Sequence, residues 1–256
     1  MSSTAAEGAH APQESTEVAA RCIGVTKEFG SGPTRIRVLR GVDFQATFGE
    51  MTFLVGPSGC GKTTLISVIA GLLTANAGQV EVLGTALSTL RGGRLVDFRG
   101  KNIGFIFQQF NLLPTLTAAE NASVPLIGRG MRFGRAVRQA GEMLARLDMQ
   151  DHRHKYPNQL SGGQQQRVAI ARALVHSPKL VICDEPTASL DATTGQTVMS
   201  MLRELAVASD RAVIVVTHDD RIFPFADRIA HMSDGQIVDM QKRPVVSATA
   251  HVGTTA

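Results

Sequence analysis

Apolar positions along the chain change their period several times, and those changes mark out the elements. From Arg21, "RCIGVTKEF" and "IRVLRGVDFQAT" alternate apolar with polar residues, the habit of half-exposed strands. "MTFLVG" is apolar throughout, as a strand buried on both faces must be. "TTLISVIAGLL" has helical length and closes at "TANAG", after which "GQVEVLG" and "NIGFIFQ" return to strand character. From Leu112 to about Ser177 the pattern is helical, broken at "NLLPTLT", "IGRGMRFG" and "KYPNQLSGG". Then follow a strand in "KLVICDEP", a helix in "GQTVMSMLRELAVAS", a strand in "RAVIVVTHD", and the segments "FPFADRIAHM" and "GQIVDM".

Strands alternating with helices predict an α/β fold with a mainly parallel core sheet. The helical stretch is inserted between two halves of that core. The predicted organisation is one domain over 21–241, with core segments 21–110 and 178–241 and a helical subdomain over about 111–177. Residues 1–20 and 242–256 read as flexible tails, and no internal repeat is visible.

Composition adds limits. The chain has 256 residues, 43% of them hydrophobic and 19% charged, which suits a globular protein with a sizeable core. The net charge of +4 is mild and gives no strong pointer to nucleic acid or membrane. Cys22, Cys60 and Cys183 are far apart and show no metal spacing, which favours a reducing compartment over a disulfide framework. No apolar run reaches the ~18 residues of a membrane span, and the N-terminus lacks the pattern of a secretory signal. A cytoplasmic location is expected.

The most specific chemistry lies in "GPSGCGKTT": Gly56, Pro57, Ser58, Gly59, Cys60, Gly61, Lys62, Thr63 and Thr64. It fits G-x-x-x-x-G-K-[ST] between a buried-type strand and a helix. Glycines let successive backbone N–H groups face a phosphate chain, Lys62 brings a point charge to the terminal phosphates, and the Thr63 hydroxyl can ligate Mg²⁺. A glycine-rich turn alone would not place Lys62 and Thr63 at a helix start. Cys60 reads as a small residue that fits the loop.

"LVICDEPT" ends an apolar strand on Asp184 and Glu185. An acidic pair there is costly unless a cation meets it. Beside a phosphate loop, Asp184 becomes the acid on the metal side, and Glu185 is placed to polarise a water attacking the γ-phosphate. His218 ends another core strand in "VIVVTHDD", where ligand sites of α/β folds gather. It can donate to a γ-phosphate or orient water. His152 and His154 fit a solvated turn. A second anion cradle, Ser161, Gly162, Gly163 and Gln164, opens another helix without a lysine. A capped helix accounts for Ser161 but not for the pair of glycines.

Together "GPSGCGKTT", "GFIFQQFNLLP", "LSGGQQQR", "LVICDEPTASLD" and "VVTHDD" stand in the order and spacing of an ABC-transporter ATPase subunit, which the chain resembles from about residue 21 to 240. The resemblance implies a P-loop core, an N-terminal antiparallel β subdomain and an inserted helical subdomain. It also implies a head-to-tail homodimer, with each ATP between the P-loop of one copy and Ser161 and Gly163 of the other. Gln108 matches the glutamine that contacts Mg²⁺ or water, and Asp191 matches the acid that crosses the dimer contact. Phe29 matches an aromatic stacked on adenine, although a core role would also suit it.

The implied cofactors are ATP and Mg²⁺, and the implied partner is a separate integral-membrane permease, with the ATPase peripheral on the inner face of the membrane. "FNLLPTLTAAENASVPL" and "VTHDDRIFPFADRIAHMSDGQIV" resemble ATPases of lipoprotein-release, macrolide-export and glycolipid-export systems, which often add a periplasmic adaptor. Importers share part of this pattern, although the short end after Asp239 speaks against those with a C-terminal regulatory domain. A cell-division regulator that moves no solute is a second alternative. No nucleic-acid partner is expected, since long coiled coils, zinc-spaced cysteines and tandem cassettes are absent from the sequence. Arg129, Arg132, Arg135 and Arg138 fit a solvated helix face.

Overall fold

The computed structural model describes residues 17–243. In chain order, β1 (Val18–Phe29), β2 (Ile36–Thr47) and β3 (Met51–Val55) lead into α1 (Lys62–Ile69). Then come β4 (Ala77–Val82), β5 (Thr85–Ala86), α2 (Gly93–Asn102) and β6 (Ile103–Ile106). The middle holds α3 (Ala118–Gly128), α4 (Phe133–Ala145) and α5 (Gly162–Leu174). The chain returns through β7 (Leu180–Asp184), α6 (Ala192–Ala206), β8 (Ala212–Val216), β9 (Arg228–Ser233) and β10 (Gln236–Lys242).

Two sheets result. The first is antiparallel, in the order β2-β1-β4-β5. The second runs β10-β9-β3-β8-β7-β6, parallel except for its edge strand β10. Its central strands β3, β7 and β8 are buried at every position, and nearly all apolar, because both faces are covered. Phe53, Val181, Val213 and Val215 face one apolar cluster together with Leu144, Ile170 and Leu202 of the helices. Leu54, Ile182 and Ile214 face the other, with Ile66 and Ile69 of α1 and Val42 and Phe44 of β2. The pleat's period of two thus distributes one unbroken apolar run between two cores.

The structure corrects the expected edges. β1 begins at Val18, so residues 18–20 are not tail: Ala20 is buried and pairs with both Ala46 and Val82. Burial between two partner strands, a tertiary effect, outweighs the weak local signal of "VAA". β10 likewise runs to Lys242, held by pairing with Arg228. The rest of both expected tails, 1–16 and 244–256, lies outside the described residues. α2 was not foreseen. Its glycine-rich, charged sequence has no buried residue to signal a helix.

Candidate active site

The phosphate loop follows directly from the fold. β3 is buried at all five positions and delivers the chain to Gly56. Gly56 has φ +152°, and a Cβ there would lie 2.1 Å from the Met232 carbonyl oxygen on β9, so only glycine lets the loop leave the sheet this way. Gly61 caps α1 in the left-handed region, φ +107°. Lys62, only 7% exposed, donates from Nζ to the carbonyls of Gly56 and Pro57 at 2.8 and 2.9 Å. Ser58, Gly59, Gly61, Lys62, Thr63 and Thr64 line a cleft of about 230 Å³ with Val38 and Glu185. Cys60 is 6% exposed and packs inside the loop, as a small filling residue should.

β7 brings the acids to the same place. Thr63 Oγ1 donates to Asp184 Oδ1 at 3.3 Å. Burial pushes the Asp184 carboxyl above its ordinary range; the Glu185 charge adds to that shift, while the Thr63 hydrogen bond and Lys62 oppose it. Two hard oxygen donors this close suit Mg²⁺, which binds through one or two protein oxygens and keeps the rest of its shell for waters and phosphate. Among the described residues no group of three or more His, Cys, Asp or Glu could hold a metal unaided.

Glu185 adopts φ +49°, a left-handed conformation that costs about 1–2 kcal/mol outside glycine. Its N–H donates to the Val216 carbonyl at 2.9 Å, and its Oε1 lies 2.9 Å from His218 Nδ1. The end of β8 therefore grips Glu185 at both backbone and side chain.

Ser161, Gly162, Gly163 and Gln164 line no part of that cleft. Ser161 caps α5: its Oγ accepts from the Gln164 N–H, and Gln164 Oε1 accepts from the Ser161 N–H. Gly163 lies so close to α6 that a Cβ would sit 2.5 Å from Thr194 Cγ2. Asp191 caps α6, accepting from the Thr194 N–H and hydroxyl, and these bonds hold its carboxyl below the usual range. Phe29 is 42% exposed, with Lys27 Nζ 5.2 Å from its ring centre, so the core role that also suited it is ruled out. Gln108 is exposed just beyond β6.

A family model described as ABC transporter matches residues 39–188, more than half of the chain and the whole run from phosphate loop to acidic pair. The chain belongs to the ABC transporter family. It is 43% identical over 206 residues to an uncharacterized ABC transporter ATP-binding protein of Mycobacterium tuberculosis H37Rv, covering 80% of this cassette and 62% of that protein. The lipoprotein-releasing system ATP-binding protein of Bacteroides thetaiotaomicron is 41% identical over 214 residues, covering 84% of the cassette and 96% of the relative. The macrolide export ATP-binding/permease protein of Aggregatibacter actinomycetemcomitans is 42% identical over 225 residues, but the cassette spans only 35% of its length. Among solved structures, the dimeric cassette MJ0796 in a post-hydrolysis state with ADP and Pi has a TM-score of 0.80 and 38% identity. That match covers 87% of this cassette and 98% of MJ0796.

Several residues that shape the site of this cassette escaped the sequence reading. Asp227 is buried and accepts from the Met51 N–H at 2.7 Å and from both terminal nitrogens of Arg203, fixing the start of β3 and hence the phosphate loop. Arg172 on α5 donates to the carbonyls of Phe110 and Asn111, just after Gln108. Neither residue stands in a motif that spacing could reveal. No described helix is long and apolar enough to cross a membrane.

Proposed function

We propose that the cassette hydrolyses MgATP at a head-to-tail homodimer interface and drives a separate membrane permease. One observation carries this reading: Lys62, Thr63 and Glu185 line one cleft, with Asp184 bonded to Thr63, while Ser161–Gln164 line no part of it. A second anion cradle outside the first cleft has a use when it serves the nucleotide of another copy. A two-fold arrangement completes both sites at once.

In this mechanism the backbone N–H groups of Ser58–Thr64 cradle the phosphates, and Phe29 stacks on adenine. Thr63, Asp184 and Gln108 would hold the metal. When bound, Mg²⁺ neutralises charge developing on the phosphate oxygens. To act as the base Glu185 must be a carboxylate, which only accepts hydrogen bonds, and in this role His218 Nδ1–H donates across their contact. That leaves Glu185 Oε2 to accept a proton from the attacking water, with His218 holding the carboxylate in place. Ser161 and Gly163 contact the γ-phosphate held by the other copy, and Asp191 lies across the contact.

Two named relatives belong to lipoprotein-release and macrolide-export systems. Their names support export or extraction of a lipoprotein or drug-like substrate. In the proposed system a lipid is a further cargo class, the cassette lies peripheral on the cytoplasmic membrane face, and a periplasmic adaptor would stand beyond the permease. The test is purified protein with MgATP: steady phosphate release, its loss in Lys62→Ala, and an ATP-stabilised dimer in Glu185→Gln by light scattering. Normal turnover in Glu185→Gln would overturn the assigned base. Recovery of tagged Glu185→Gln from membranes with septal or nucleic-acid partners, and no multi-pass permease, would overturn the transport reading.

A further inference from the structure

The positive charge of the chain is concentrated in its helical layer. Residues 111–177 carry nine Lys and Arg against four Asp and Glu, a surplus of five, whereas the whole chain has a net charge of +4. The rest of the molecule is thus close to neutral. Between Glu120 and Glu142 the chain holds Arg129, Arg132, Arg135 and Arg138 and no acid. All four are exposed, on the turn from α3 to α4 and the first turns of α4. None pairs with a carboxylate among the described residues.

A solvated helix face needs only polar residues, and this one has an apolar tip. α4 is held by Ala136, Ala140 and Leu144, which are fully buried. Phe133 continues that stripe at the N-terminal end, one turn before Val137, yet it is 57% exposed between Arg132 and Arg135. Val124 and Ile127, in the last turns of α3, are exposed as well. From Gly134 onward α4 also lines a groove of about 460 Å³ through Val137, Gly141 and Ala145, with Arg138 and Arg153 against it.

One kind of surface uses both features. A layer of anionic phospholipid headgroups attracts arginines, and the acyl boundary beneath it takes up an aromatic ring and aliphatic side chains. Nucleic acid would use the arginines on its phosphates but offers no such boundary to Phe133, Ile127 and Val124. We infer that the turn from α3 to α4 binds anionic phospholipid headgroups directly, with Arg129, Arg132, Arg135 and Arg138 on the phosphates and Phe133 dipping into the boundary below. The contact deepens the reading of the cassette as peripheral on the membrane, and rests on it. The cassette then meets the membrane through its own surface as well as through a permease.

The test is co-sedimentation of the purified full chain, without a permease, with vesicles of phosphatidylcholine alone and of an equal mixture with phosphatidylglycerol. Binding is expected to the mixed vesicles only, weakening as salt screens the charges. Arg132→Gln with Arg135→Gln should lower the partition coefficient about 25-fold, from about fivefold for each arginine. Phe133→Ser should lower it about tenfold. Arg91→Gln with Arg94→Gln, the same loss of charge outside the helical layer, should leave it within about twofold. Melting temperatures should match wild type, since all these side chains are exposed.

Equal binding to neutral vesicles, binding to neither kind, or an equal loss in the Arg91 and Arg94 variant would each overturn the inference. So would a preference for duplex DNA over the mixed vesicles that disappears with Arg132 and Arg135, which would assign the patch to nucleic acid. Phosphate release from MgATP is measured on the same samples. Vesicle binding without release would overturn the ATPase reading and leave the lipid contact standing, and release without vesicle binding would do the reverse.

Discussion

Glu185 and His218 lie just beyond the ends of neighbouring strands, β7 and β8, and meet through Oε1 and Nδ1 at 2.9 Å. The contact holds a carboxylate whose backbone is already in the left-handed region. Replacing His218 by Ala frees the Glu185 side chain without removing it. Turnover should fall about 10²-fold, at the lower end of the range for lost acid–base assistance. Affinity for MgATP should change little, because His218 lines no part of the phosphate cleft. Phosphate release and nucleotide titration separate the two effects.

Asp184 → Asn should separate stability from activity. Burial raises the Asp184 pKa in the fold, so the native state binds its proton more readily than the unfolded chain does. Between the ordinary value of 3.8 and the raised folded value, stability falls as pH rises, and the penalty is complete above that window. The metal-free Asn variant should melt higher than wild type at neutral pH, by about 2–4 °C for each kcal/mol relieved. The difference should close as pH falls toward 3.8. Mg²⁺-dependent turnover should be lost at every pH. A variant melting below wild type at neutral pH would contradict the assigned cost of burial.

Gly56 → Ala tests the exit from β3. Its Cβ would meet a main-chain carbonyl 2.1 Å away, on a strand that cannot yield without breaking its pairing with β3. The loss should be at least about 2 kcal/mol in denaturant unfolding, together with weakened nucleotide binding. Gly59, with nothing within 4 Å of its Cβ position, should tolerate the same change with less loss.

Asp227 → Ala removes the anchor of Met51 and leaves Arg203 without its carboxylate. Arg203 is one-third exposed, so the cost is set mainly by the orphaned, buried Met51 N–H and should be about 1–3 kcal/mol. Unfolding experiments should show that loss even with MgATP absent, whereas a purely catalytic change such as Glu185→Gln should leave the unfolding midpoint nearly unchanged.

The sequence carried the site in proportion to how local its chemistry is. A phosphate loop needs glycines, a lysine and a hydroxyl within one turn, so Gly56–Thr64 could be read from spacing alone. Asp184, Glu185 and His218 stand out as candidates because each lies at or just past the end of an apolar run, where a polar group needs a purpose. Val18–Ala20 and α2 were not, because burial between partner strands decides the first and little apolar patterning marks the second.

Sequence alone determined which residues could bind phosphate, since that ability resides in the residue types and their immediate backbone. It also determined the alternation of strands and helices, which hydrophobic period encodes. Only the tertiary structure decided which groups share one cleft. Parallel pairing of β7 with β8 set Glu185 against His218, and the path of α5 kept Ser161–Gln164 out of the cleft and put Arg172 against the Gln108 loop. Those juxtapositions join residues far apart in the chain, and their geometry depends on strand register and helix packing, which no local pattern specifies.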